Sequence, residues 1–133
     1  MERDIITLIV PATPKYARTV RVTASELASR SHLSYEGVDE VRIAAEELFV
    51  YASDCADSGE VCMVFDKGED TLEIRVSVGD FVRNTGEEDE RRATYATFIL
   101  QAVCDRFEMY SDETGAHLKV VKNLPAEPED AVD

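Results

Sequence analysis

The chain has 133 residues, 28 acidic against 14 basic, for a formal charge of −14, with 44% hydrophobic and 32% charged residues. That length suits a single domain with a core of its own, and the composition is that of a globular chain rather than a disordered one. A field of this sign repels phosphate backbones and anionic lipid, which argues against nucleic-acid and membrane-surface binding and favours a basic protein partner.

No apolar run approaches the ~20 residues that span a bilayer; the longest strand-like run is Ile5 to Val10. The start, Met1-Glu2-Arg3-Asp4, mixes charges and lacks the cationic character of a secretory signal, so a cytoplasmic protein is expected. Cys55, Cys62 and Cys104 form no CxxC pair, and the only histidines are His32 and His117. No metal site is expected, and the cysteines read as free thiols.

In chain order, Ile5–Val10 is a β-rich run ended by Pro11. Thr13-Pro14 reads as an N-cap with proline at the first helical position, followed by Tyr16, Val20, Ala24, Leu27 and Ala28 at helical spacing to about Ser31. Ser34 caps a second helix, with Glu36 in its first turn and Val38, Val41, Ala45, Leu48 and Ala52 along one stripe. Val61, Met63 and Phe65 alternate, Lys67 to Asp70 makes a hairpin turn, and Leu72, Ile74, Val76 and Val78 alternate again.

Gly79 to Arg92 is polar, and its charge run Glu87 to Arg92 reads as a solvated loop. Tyr95, Phe98, Ile99, Ala102 and Val103 then define the apolar stripe of a third helix. Two closing strands, Arg106–Tyr110 and Ala116–Lys122, meet at the turn Asp112 to Gly115. The order β-α-α-β-β-α-β-β predicts an α+β two-layer sandwich: a mostly antiparallel sheet of four or five strands with three helices on one face. The domain spans 1–124, and residues 125–133, with two prolines and four acids, form an acidic tail expected to be disordered.

Several stretches resemble the anti-sigma factor serine-protein kinases of the RsbW and SpoIIAB type, with the histidine-kinase-like ATPase fold. They are Val10-Pro-Ala-Thr-Pro-Lys-Tyr16, Val20-Arg21, Leu27-Ala-Ser-Arg30 and Asp39-Glu-Val-Arg-Ile-Ala-Ala-Glu-Glu47 with Ala52. Leu72-Glu-Ile-Arg-Val76, Cys104-Asp-Arg-Phe107 and Gly115 through Lys122 complete the set. The resemblance implies a dimerising protein that binds Mg-ATP, sequesters an alternative sigma factor and phosphorylates a serine on a small antagonist.

It also locates the nucleotide chemistry, and there this chain departs from the family. The family's helical Glu is Glu47, but the Asn four residues later, which holds Mg²⁺, is Tyr51. A phenol is a poor ligand for a hard cation and fills the volume that metal and phosphates need. The strand-end Asp-x-Gly-x-Gly, whose Asp reads adenine, becomes Val78-Gly-Asp80-Phe-Val82. A two-residue slip would put Asp80 at the Asp position, with Val82 and Asn84 still replacing both glycines. The glycine-rich lid corresponds to Gly86–Thr97, with one glycine and four consecutive acids, and the Thr after the last turn is His117, which would face Asp80 across the site.

Metal, base and phosphate contacts are thus all altered in a pocket marked by Glu47, Tyr51, Val78, Asp80 and His117. The expectation is a regulatory protein acting by protein–protein binding, on a sigma factor or an antagonist of the STAS type, with no cofactor and no catalysis. Two alternatives stay open: an active ATP-dependent serine-protein kinase with Mg-ATP as cofactor and Glu47 as base, or a module whose remodelled pocket takes another small molecule.

Overall fold

The structure is a computed structural model that describes residues 3–56, 59–79 and 87–126, with the backbone alone at 78, 79 and 87–89. Five strands form one sheet in the order β1-β2-β3-β5-β4, every neighbouring pair antiparallel. The strands are β1 (Asp4–Pro11), β2 (Glu60–Lys67), β3 (Thr71–Gly79), β4 (Arg106–Asp112) and β5 (Gly115–Asn123). The helices are α1 (Ala17–Ser29), α2 (Tyr35–Cys55) and α3 (Glu87–Val103). This is the α+β arrangement that the element order predicts.

The alternation along each strand decides which face the helices cover. Val61, Met63 and Phe65 of β2, Leu72, Ile74 and Val76 of β3, and Ala116, Leu118 and Val120 of β5 are buried together with Val20 and Leu27 of α1 and Val41, Leu48 and Phe49 of α2. The intervening residues face away from the helices, where Ile9 is 61% exposed. A sheet covered on one side only is a normal outcome for hairpin-linked antiparallel strands.

Local chemistry explains the helix boundaries. Thr13 has the extended backbone of an N-cap, yet its side chain makes no capping bond, and Pro14–Tyr16 form a 3-10 turn before α1 begins. α1 stops two residues short of the expected Ser31: the Ser31 hydroxyl donates to Leu27 O at 2.9 Å, and His32 adopts φ 59. Left-handed backbone at a non-glycine residue breaks the helix geometry there. Ser34 caps α2 as expected, its Oγ accepting from the Gly37 N–H at 3.1 Å.

Two expectations about α3 are corrected. The charge run Glu87 to Arg92 belongs to the first turns of the helix, not to a loop. An acidic first turn suits the positive end of the helix dipole, so the acids that suggest solvation also favour helix initiation. The inward stripe, in turn, is Ala93, Ala96, Leu100 and Val103, whereas Tyr95 is 63% and Phe98 73% exposed and Ala102 is also exposed. α3 packs against α2. Small residues permit that approach, and the second ridge at helical spacing, with Tyr95 and Phe98, is left outside.

Two charged contacts fasten the periphery. Lys122 of β5 donates to Glu40 of α2 at 2.5 Å and to Val103 O, at the end of α3, at 3.3 Å. Arg3 forms a paired contact with the buried carboxylate of Asp66, fixing the start of β1 against β2. At the other end, Leu124 N–H donates to Asp70 O at 2.8 Å. Most of the expected disordered tail, residues 127–133, lies outside the described residues. No helix among the described residues is long and apolar enough to cross a membrane.

Candidate functional site

The 3.6-residue period of α2 puts Glu47 and Tyr51 one turn apart on one side of that helix. Their environments differ. Tyr51 is 5% exposed and belongs to the hydrophobic core, whereas Glu47 is half-buried. Burial pushes the Glu47 carboxyl above the usual carboxylate range, and repulsion from Glu46 and Asp54 adds to the effect. Those two acids are each met by a neighbouring helix: Arg21 of α1 reaches Glu46 at 3.2 Å, and Arg92 of α3 reaches Asp54 at 3.3 Å.

At the strand end, the register of β3 on β5 shifts between Ser77, opposite His117, and Gly79, opposite Ala116. One extra backbone residue at Val78, between the pairs Ser77–His117 and Gly79–Ala116, makes a bulge. Asp80, Val82 and Asn84 lie outside the described residues.

The structure does not bring His117 to Glu47 and Tyr51. Its neighbours along β5, Ala116 and Leu118, are buried in the core, so alternation turns His117 to the uncovered face of the sheet. There its Nδ1 is 3.2 Å from Ser77 Oγ and its Nε2 is 2.9 Å from Asp112 Oδ1. The Tyr110 ring lies beside the imidazole, centroids 5.1 Å apart. His117 thus has partners on β3 and in the β4–β5 turn, and the expected pairing with Asp80 falls on a residue outside the described ones. The residue of β5 that faces the helical side at this level is Ala116.

The grouping of Ser77, Asp112 and His117 escapes a reading of the sequence because Ser77 and His117 are 40 residues apart and meet only through the β3–β5 register. The Asp112–His117 half was within reach, since the two residues flank one tight turn. A hollow of about 930 Å³ lies along the exposed side of α3, lined by Glu90, Arg91, Thr94, Tyr95 and Phe98; Glu47 and Tyr51 do not line it. No group of three or more His, Cys, Asp or Glu among the described residues is arranged to hold a metal ion.

Comparison with known proteins agrees with the architecture. The histidine kinase-like ATPase domain family matches residues 10–122. The serine-protein kinase RsbW of Listeria monocytogenes (strain HCC23) is 30% identical, over 83% of this chain and 82% of its own length. RsbW of Oceanobacillus iheyensis is 26% identical over 98% and 93%, and RsbW of Bacillus pumilus 29% over 93% and 88%. With the fold and the extent of the match in agreement, the chain belongs to the histidine kinase-like ATPase domain family, among the relatives of the serine-protein kinases RsbW.

Proposed function

We propose that this chain is an anti-sigma-type regulatory protein that works by binding a protein partner and no longer uses ATP. The observation that carries this reading is Tyr51. It stands one helical turn after Glu47, where the resemblance calls for the metal-holding Asn, and it is buried rather than turned out to solvent. A buried phenol contributes hydrophobic packing at that position and offers Mg²⁺ no hard oxygen anion. Triphosphate binding without a protein-held cation leaves much of the ligand's charge uncompensated beside the Glu47 carboxyl.

The raised carboxyl of Glu47 fits a base position, which is the feature favouring the kinase alternative. A base lacking the metal and phosphate contacts has no positioned substrate to act on. The partner suited to the reading is an alternative sigma factor or a STAS-type antagonist, and the −14 charge favours a partner with a basic contact surface.

Titration calorimetry with Mg-ATP tests the nucleotide half. Millimolar affinity corresponds to ~4 kcal/mol, and no measurable heat of binding up to that concentration is expected. Micromolar binding would overturn the nucleotide-free reading and restore the kinase. The partner half is tested by co-elution with a purified sigma factor and antagonist from the same organism at ~0.15 M salt, where long-range charge attraction is screened. Failure of both to co-elute refutes the partner assignment.

A further inference from the structure

We propose that Ser77, His117 and Asp112 form a nucleophilic acyl-acceptor site on the uncovered face of the sheet, taking a small activated ester. The three residues make a continuous relay. Ser77 Oγ lies 3.2 Å from His117 Nδ1, and His117 Nε2 lies 2.9 Å from Asp112 Oδ1. A hydroxyl on one ring nitrogen and a carboxylate on the other is the arrangement that activates serine in acyl transfer, whatever fold presents it.

The surroundings fix the direction of the relay. Asp112 Oδ1 accepts from Thr114 N–H at 2.8 Å and from the Thr114 hydroxyl at 2.5 Å. His117 Nε2 also lies 2.8 Å from Thr114 Oγ; with the Thr114 proton given to the carboxylate, both oxygens beside Nε2 are acceptors, which assigns the ring proton to Nε2. Nδ1 then holds the lone pair and faces the Ser77 hydroxyl. The same hydrogen bonds hold the Asp112 carboxyl down at about 2, which keeps it an anion beside the imidazole. The Tyr110 ring stands beside the imidazole at an interplanar angle of 32°.

Access is open. Ser77 is exposed and, with His117, lines a hollow of about 370 Å³ that also includes Arg75, Cys62 and Val64. Ser77 is also the last residue of β3 in regular register with β5 before the shift to Gly79. Arg75, two residues before Ser77 on the same face, brings positive charge; its Nη1 donates to Glu73 at 2.7 Å, and the guanidinium has five donors in all. The guanidinium donors not given to Glu73 are the groups in the hollow able to meet the oxyanion that develops in acyl transfer.

In the step proposed, Ser77 Oγ bonds to the acyl carbon while its proton passes to His117 Nδ1. The bond from the acyl carbon to the leaving oxygen breaks, and the leaving group departs with that electron pair and receives the proton from His117. The serine is left acylated, with no change of oxidation state.

The probe is p-nitrophenyl acetate, applied to the full chain carrying Cys62→Ala so that the thiol in the same hollow cannot compete. The expected result is a p-nitrophenolate burst of up to one equivalent, with acetyl found on Ser77 by peptide mass mapping. Adding Ser77→Ala removes that acetyl, while His117→Gln and Asp112→Asn each slow its appearance by about 10²-fold or more. Ser77 is exposed, so its alanine variant is expected to keep the parent's melting curve, which separates lost chemistry from lost folding. No burst from the folded parent, acetyl on lysines alone, an undiminished burst in Ser77→Ala, or an unchanged rate in a folded His117→Gln overturns the proposal.

Discussion

Truncating Tyr51 to alanine should destabilise the protein severely. A buried aromatic side chain removes about 150–250 Å² from water. At about 25 cal/mol per Å², that corresponds to ~4–6 kcal/mol, an upper range because unfolded chains already cover part of their apolar surface. Measured aromatic-to-alanine changes in cores cost about 3–5 kcal/mol, which includes the cavity left behind. Tyr51 is 5% exposed in the middle of the core cluster, so it belongs in that class. For a chain of this size each kcal/mol moves the melting temperature by about 3–5 °C, giving a fall of roughly 10–20 °C. Tyr51→Phe keeps the ring and should cost no more than about 1.5 kcal/mol. Urea unfolding of the three proteins, with the slope checked for constancy, measures both differences. A loss below about 1 kcal/mol for Tyr51→Ala would refute the claim that this side chain fills space in the core.

The Glu40–Lys122 contact is partly buried and also reaches Val103 O. Lys122→Ala should therefore cost about 1–3 kcal/mol by urea unfolding, more than an exposed ion pair and less than a sealed one. Of the three thiols, exposed Cys62 should react with a maleimide in the native state, while Cys55 is buried and Cys104 is held back by burial that pushes its thiol up to about 12; peptide mapping after brief labelling distinguishes them. Asp112 should titrate with a midpoint of about 2 by carbon NMR. Its depressed value means that the turn's hydrogen bonds stabilise the fold above the unfolded carboxyl value near ~3.9, and that this contribution is lost as pH falls through about 2.

The strands were legible because each alternates with period two over a core on one side only, as in Leu72, Ile74 and Val76. α2 was legible from its cap, since Ser34 has one well-defined local task. α3 was misread for a reason that composition cannot repair. Which side of a helix faces inward depends on what it packs against, and α3 turns alanines to α2 and leaves Tyr95 and Phe98 outside. At the site, Glu47 and Tyr51 were placed together by helical spacing alone. The facing of His117 required the β3–β5 register, which period-two alternation within one strand does not contain.

The strand order also sets a sequence of events in time. Lys67 pairs with Leu72 across the β2–β3 turn, a separation of five residues, whereas Ser77 pairs with His117 across forty. Three doublings of loop length add about 2 kcal/mol of closure entropy, since each costs about 0.6 kcal/mol. Contacts so distant in the chain slow folding. The β2–β3 and β4–β5 hairpins can therefore form locally, while the β3–β5 seam waits for α3 and the chain around it to be drawn in. Ser77 stands on one bank of that seam, with His117 and Asp112 on the other. The Asp112 contact belongs to the β4–β5 turn, but the Ser77 Oγ–His117 Nδ1 contact completes only when the seam closes, so that contact reports arrival at the native sheet rather than formation of either hairpin.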